Sequence, residues 1–364
     1  MFQFLFLFII LSLILILLSP GSKITLSGKK GYQAYFMCFF LLFFLAAFRA
    51  PIVGNDTGEY IRIYNLNEDM IRNGSRYELG YLYFNYILYS ISSDARLLLV
   101  LSSLLIFSIY GFVIWKYSYR PKLALLLFFL LLFGTSINTI RQSMAICILF
   151  FNIDNIVNRR LSRFIIITVL AALFHTTAII FIATYPLSFI KINIKSILIA
   201  ILISMVGLFL FSDIMNLGLT YFNMYDSYTE GKYFEGETRV ASMVKVGLSL
   251  LFFFFSYFML RLNRNEKWKN SVECKKYYLF LLMELLALMI NILSLKVNLL
   301  DRLSLYFTAM TPILLSNAIC LMPIRIKKLA TITILLVLIT YNCVVINYRP
   351  DWNRVYPIQL SLET

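Results

Sequence analysis

His175 is the only histidine in the chain, and it interrupts a long apolar run, Phe164-Ile-Ile-Ile-Thr-Val-Leu-Ala-Ala-Leu-Phe-His175-Thr-Thr-Ala-Ile-Ile. An imidazole ordinarily titrates near neutral pH, which suits it to taking a proton from an attacking hydroxyl. Arg141 opens a neighbouring apolar segment, Ile137-Asn-Thr-Ile-Arg141-Gln-Ser-Met-Ala. Its planar, permanently charged fork matches the oxygens of a phosphate or carboxylate. Ionisable groups at membrane depth are costly, and by default they mark a functional site.

The elements that must position these two groups are apolar helices. The chain is 60% hydrophobic and 14% charged, with a mean hydropathy of +0.81. Soluble domains run at roughly 45–50% apolar and about 25% charged. The alternation of a membrane β-barrel is absent, so the expected fold is all-α, a polytopic bundle of transmembrane helices. A length of 364 residues leaves room for about 10–12 spans of roughly 20 residues each and two long loops. Apolar runs predict helices at about 2–19, 31–49, 94–115, 121–137, 138–157, 195–213, 239–261, 277–295, 302–321 and 329–347. Two shorter pieces, about 161–174 and 176–190, meet at His175 as a broken or re-entrant pair. The tyrosine-rich stretch from about 77 to 92 predicts an interfacial amphipathic helix. Met1 to Pro20 lacks a basic leader and a small-x-small cleavage site, and predicts a span rather than a signal peptide. Without internal repeats or low-complexity linkers, residues 1–364 are expected to form one integral-membrane domain.

The net charge of +15 invites a nucleic-acid reading, which fails once the charges are placed on this topology. Most Lys and Arg fall in one alternate set of loops: Lys23, Lys29, Lys30; Lys116, Arg120, Lys122; Arg159, Arg160, Arg163; Lys191, Lys195; Arg261 to Lys276; and Arg325 to Lys328. The positive-inside rule makes that set cytoplasmic. Both termini and two long loops, about 49–78 and 214–238, then face the outer side, together with Arg141 and His175.

Other outer-side residues could join them. The first loop carries Gly54-Asn55-Asp56-Thr57-Gly58-Glu59-Tyr60. The second carries Tyr221, Tyr225 and Tyr228 among acids, a mixture that suits sugar faces and hydroxyls. Arg239 and Lys245 open another helix, and Lys296, Asp301 and Arg302 sit at a late outer turn. Basic groups over an apolar bundle suit an amphiphile with an anionic head and a lipid tail. Each residue also has a bland alternative. Arg141, Arg239 or Lys245 could snorkel to the interface, and His175 could satisfy a carbonyl at a helix break. Asp301 could pair with Arg302, Asp56 could form an Asx turn, and the tyrosines could be an interfacial belt. Intramembrane Glu284 reads as a helix–helix hydrogen bond or a buried pair. The five cysteines form no C-x-x-C pair and there is one histidine, so neither a zinc nor an iron–sulfur site is expected; no metal or other cofactor is expected.

Gly54-Asn-Asp56-Thr-Gly-Glu-Tyr60, Arg141-Gln-Ser, His175-Thr-Thr-Ala and Asp301-Arg302-Leu-Ser-Leu-Tyr306-Phe307, in that order and spacing, resemble the EpsG-like branch of the Wzy polysaccharide polymerases. The resemblance implies a multi-pass glycosyltransferase of the bacterial cytoplasmic (inner) membrane, similar to the GT-C class and working without a metal. Such an enzyme moves a growing glycan from one undecaprenyl-diphosphate carrier to the end sugar of another lipid-linked repeat unit, on the outer face. It implies a flippase and a chain-length regulator as partners. The expected roles are His175 as general base, Asp56 as acceptor-orienting group or alternative base, and Arg141, Arg302 and Arg239 on the diphosphate. Glu59, Tyr60, Tyr221, Tyr225 and Tyr228 would hold the glycan.

The rivals are a flippase or transporter for lipid-linked saccharides, an O-antigen ligase and a membrane acyltransferase. Transporters usually show pseudo-repeats between halves, and none is found. Ligases present a larger late outer domain, whereas the turn around Lys296 to Arg302 is short. An acyltransferase would want a partner motif beside the histidine.

Overall fold

The computed structural model describes residues 1–17, 32–210, 240–263, 265–297, 300–352 and 354–361. The expected loop at about 214–238, with Tyr221, Tyr225 and Tyr228, lies outside the described residues, as does Arg239.

The described chain is an all-helical polytopic bundle. Among the described residues six helices are long and apolar enough to cross a membrane: Arg96–Tyr117, Pro121–Asn138, Ile140–Val157, Ser242–Leu262, Val272–Leu293 and Ile324–Tyr348. Asp301–Thr308 and Thr311–Leu321 form a pair bent by 49°. Shorter apolar helices run Phe2–Leu17, Tyr32–Ala47, Leu161–Ala172, Thr176–Leu187 and Ile194–Phe209. The segment expected to lie at the interface is the helix Leu79–Tyr89, and the loop before it contains two further short helices, Thr57–Asn65 and Asn67–Arg72.

The helices pack into two compact units. One comprises Met1–Asn152, Ser162–Ile179 and Leu315–Thr364; the other comprises Ile153–Leu161 and Ile180–Leu314. In the first, Tyr32–Ala47 lies along Arg96–Tyr117, and the buried Tyr35 hydroxyl donates to the Gly111 carbonyl at 2.8 Å. The end of Arg96–Tyr117 is closed by Asn317, which donates to the Tyr117 carbonyl (3.0 Å) and accepts from the Tyr119 amide (2.7 Å). Carbonyls at a helix end have no intrahelical donor, and hydrocarbon offers no water to replace one.

In the second unit, Val272–Leu293 packs against Ile194–Phe209, Val240–Leu262 and Asp301–Thr308. Polar side chains join these helices. Asn291 donates to Ser249 at 2.7 Å, and Thr311 donates to the buried Glu284 carboxyl. Glu284 is thus the helix–helix hydrogen bond expected of it. Asp301 pairs with Lys245. Adjacent residues on a helix point about 100° apart and do not face each other, which is why Asp301 bonds across to another helix.

One buried cation organises the first unit. Arg49 follows Tyr32–Ala47 and is 0% exposed. It donates to the Ala46 carbonyl, to the Ile137 carbonyl at 3.1 Å and to Thr57 Oγ1 at 3.4 Å. Its own carbonyl accepts from Arg96 at 2.8 Å. A guanidinium suits this place because several N–H groups in a fixed plane reach separate acceptors. It serves the ends of two helices, where the last carbonyls are negative and unpaired. The chain ends meet the same region. Gly54 N donates to Arg354 O (2.9 Å), Ala50 N to Gln359 O (2.8 Å), and Gln3 Nε2 to Ile358 O (2.9 Å).

Arg49→Ala should leave the Ala46 and Ile137 carbonyls buried without donors, at a cost of about 1–3 kcal/mol for each unsatisfied group. The purified protein in detergent should melt several degrees lower. Arg49→Lys should recover only part of the loss, because one ammonium cannot span three acceptors. An unchanged melting temperature in Arg49→Ala would overturn this account of Arg49.

Candidate active site

The site is built at three breaks in helical structure within the first unit. The first follows Asn138. Thr139 adopts φ −110°, ψ 64° and separates Pro121–Asn138 from Ile140–Val157. Arg141 therefore stands in the first turn of a helix, where the dipole disfavours a cation by about 0.3–1 kcal/mol. The second break is Leu173 to His175. The His175 amide closes the preceding helix by donating to Ala171 O at 3.1 Å, and its carbonyl opens the next by accepting from Ala178 N at 2.9 Å. The third is the turn into Leu79–Tyr89, with Glu78 in extended conformation ahead of it (φ −69°, ψ 134°). Glu78 holds the N-cap position, which short polar side chains usually fill, and its side chain makes no capping bond.

Glu78 reaches the other two breaks instead. Its Oε1 lies 2.9 Å from His175 Nδ1 and accepts from the Thr176 amide at 3.0 Å. Its Oε2 accepts from Arg141 Nη1 at 2.5 Å. Side-chain exposures are 10% for Glu78, 23% for His175 and 22% for Arg141, so all three are largely withdrawn from solvent. The close approach depends on Gly80. A Cβ there would lie 2.7 Å from Leu173 O and 2.8 Å from Leu173 Cβ, and the Tyr81 amide donates to that carbonyl at 3.3 Å.

Burial pushes the Glu78 carboxyl up; the His175 hydrogen bond, the Arg141 charge and the Thr176 amide outweigh it and hold the group down at about 2. Glu78 is therefore a carboxylate and only accepts. His175 Nδ1 therefore donates to it, and in a neutral ring that arrangement puts the lone pair on Nε2.

Arg141 is held on its other sides by aromatic faces. Its Cζ lies 5.0 Å from the Tyr77 ring centroid and 5.9 Å from that of Tyr81, within range for cation–π attraction. The buried Nε has no hydrogen-bond partner among the described residues. With Nη1 turned to Glu78, the edge formed by Nε and Nη2 points away from that carboxylate.

The other expected residues are placed less uniformly. Asp56 precedes the helix Thr57–Asn65 without capping it, and its amide donates to Asn138 Oδ1 at 3.2 Å. That contact seats the loop beside the break that carries Arg141. Gly54 makes it possible: its φ is +87°, and a Cβ would lie 2.9 Å from Thr57 Oγ1. Glu59 is held by Arg62 at 2.9 and 3.0 Å and by the Tyr77 hydroxyl. Tyr60 is 4% exposed, with its ring edge-on to Tyr81 at 6.1 Å; it supports the wall behind Arg141. Arg302 is exposed in the first turn of Asp301–Thr308, in the second unit.

Glu78 itself had no expected role, because it closes a polar outer loop where an acid needs no special reason. The only signal was its position in Tyr77-Glu78-Leu79-Gly80-Tyr81, an acid between two tyrosines with a glycine that permits close approach. Among the described residues no group of three or more His, Cys, Asp or Glu side chains could hold a metal ion.

The family model described as EpsG family matches residues 32–360, which contain the whole of this constellation. The chain belongs to the EpsG family. No curated protein and no solved structure matches it. Membership of the EpsG family suggests a polysaccharide-polymerase-type membrane protein with glycosyltransferase-like activity, and in this EpsG-family chain one carboxylate, Glu78, joins Arg141 and His175.

Because the folded Glu78 value lies below the ordinary 4.5, its stabilising contribution is complete above 4.5. It is lost as pH falls towards about 2. The melting-temperature gap between wild type and Glu78→Gln should stay constant above that window and close within it. A gap that instead opens on acidification would contradict an ionised Glu78.

Proposed function

We propose that this protein polymerises polysaccharide repeat units at the outer face of a bacterial cytoplasmic membrane. It transfers a glycan from one undecaprenyl-diphosphate carrier to the terminal sugar of another. The observation that carries this reading is the Glu78 bridge. It turns His175 Nδ1 to the carboxylate, which makes Nε2 the basic nitrogen of the neutral ring, and it fixes Arg141, whose buried Nε has no hydrogen-bond partner among the described residues; a base and an anion site are fastened to one group.

In the reaction the acceptor hydroxyl attacks the anomeric carbon of the donor glycan. The new glycosidic C–O bond forms as the bond from that carbon to the diphosphate oxygen breaks. Undecaprenyl diphosphate leaves with the bonding electrons, and the hydroxyl proton passes to His175 Nε2. The departing diphosphate gains negative charge, which Arg141 offsets through two parallel N–H bonds from Nε and Nη2. Asp56, on the loop seated by Asn138, is assigned to the acceptor. Aromatic walls at Tyr77 and Tyr81 suit the edge of a site that must exclude water and let sugars slide. The outer location is supported by the loop charges and by the chain ends, which meet the loop that carries Asp56.

His175→Ala should lower polymer formation by about 10²–10⁴-fold, the usual cost of losing a positioned base. Arg141→Lys keeps the charge and loses the fork, and should raise KM for the lipid-linked donor as well as slow turnover. The measurement is conversion of lipid-diphosphate-linked repeat units to polymer in membranes carrying each variant at equal level. Wild-type polymer from both variants would overturn the reading. A deletion strain that still exports single repeats fits a polymerase, whereas one that exports nothing fits a flippase.

A further inference from the structure

We infer that Glu78 is a positioning residue that couples the two halves of the reaction, setting the basic form of His175 and holding the guanidinium plane of Arg141 with one carboxylate. The inference rests on the roles proposed above for those two residues.

Three observations carry it. The first is the division of labour between the oxygens. Oε1 serves His175 and the Thr176 amide, while Oε2 serves Arg141. Rotation of the carboxylate cannot improve one contact without loosening the other, so the base and the anion site are held in one relative geometry. The second is the absence of a capping role. Glu78 stands where it could cap Leu79–Tyr89 and does not, so its helix gains nothing from the side chain that a serine or aspartate would not supply better. The third is the steric provision for the contact. Gly80 lets the start of this helix come so close to Leu173 that a methyl group would collide with its backbone. Tyr77 and Tyr81, one residue before Glu78 and three after it, supply the faces that hold Arg141 from the sides.

The chemistry explains why a carboxylate is needed. As His175 takes the acceptor proton it becomes an imidazolium, and a fixed anion on Nδ1 stabilises that charge as it forms. As the diphosphate leaves, Arg141 must already present its Nε–Nη2 edge, and the anchor on Nη1 fixes the plane. A neutral amide in the same place would still accept from one donor, but it carries no charge and offers N–H groups where acceptors are required.

The test compares Glu78→Gln, Glu78→Asp and Glu78→Ala with His175→Ala and Arg141→Lys. All are assayed in membranes at matched protein level for kcat and KM on lipid-diphosphate-linked repeat units. Glu78→Gln should fall about 10²–10⁴-fold in kcat, the range for losing a base or the carboxylate that orients it, and should also raise KM. Glu78→Asp should retain an intermediate rate. Added formate, a carboxylate small enough to enter the vacated space, should raise turnover of Glu78→Ala several-fold and leave His175→Ala unmoved. Wild-type kcat and KM in Glu78→Gln, with His175→Ala inactive, would overturn this inference and leave the proposed function standing. Wild-type rates in both His175→Ala and Arg141→Lys would instead sink the proposed function, whatever Glu78→Gln shows. A loss in Glu78→Gln that merely tracks protein missing from the membrane, with no change in kcat or KM per molecule, would mark Glu78 as structural and also overturn the inference.

Discussion

The site depends on how one carboxylate is held where water is scarce. Glu78 is 10% exposed, and an ion in such a place must be matched by donors or it shifts to its neutral form. The donors come from a guanidinium, an imidazole and a backbone amide. Each of these also has a problem that the carboxylate solves. Arg141 sits against the positive end of its helix, the Thr176 amide opens a helix and lacks an intrahelical acceptor, and His175 needs its proton fixed on Nδ1. Residues 63 and 97 positions away from Glu78 are thereby tied to one point.

The bundle makes that point available through interruptions in its helices. A continuous helix satisfies its own backbone and offers a membrane protein nothing polar to work with. At Thr139, at Leu173 to His175 and at Glu78 the helices stop, and the freed polar groups face one another. The surroundings then keep the breaks together. Arg49 ties the ends of Tyr32–Ala47 and Pro121–Asn138 to Thr57, Asn138 seats the Asp56 amide, and the C-terminal tail holds Gly54 and Ala50. The polar contacts of the second unit, Lys245 with Asp301 and Thr311 with Glu284, follow the same rule on a smaller scale, since each joins a helix end or bend to a neighbouring helix.

Much of the fold was legible because it follows from local composition. A run of twenty apolar residues has few fates other than a span, and the expected helices differ from the observed ones mainly at their ends, where caps and 3₁₀ turns decide, except that the helix expected at about 302–321 is bent by 49° between Thr308 and Thr311. The break at His175 was legible because an ionisable residue splits an apolar run into pieces too short to cross alone. The division of the helices into two compact units was not, because apolar helices of similar composition carry no mark of which neighbour they choose. Glu59 and Tyr60 were selected as glycan contacts for their type. Type does not reveal that Arg62 and Tyr77 already hold Glu59, or that Tyr60 is buried against Tyr81.

By itself the sequence determined that this is a helical membrane protein, that its charges are sorted between alternate loops, and that His175 and Arg141 are costly enough to need a reason. Those are properties of single residues and short windows, and hydrocarbon enforces them wherever the segment sits. Only the tertiary structure decided that the two share a carboxylate. Glu78 lies 63 residues from one partner and 97 from the other, nothing in its type names those partners, and the contact exists only once Gly80 has brought the helices within reach.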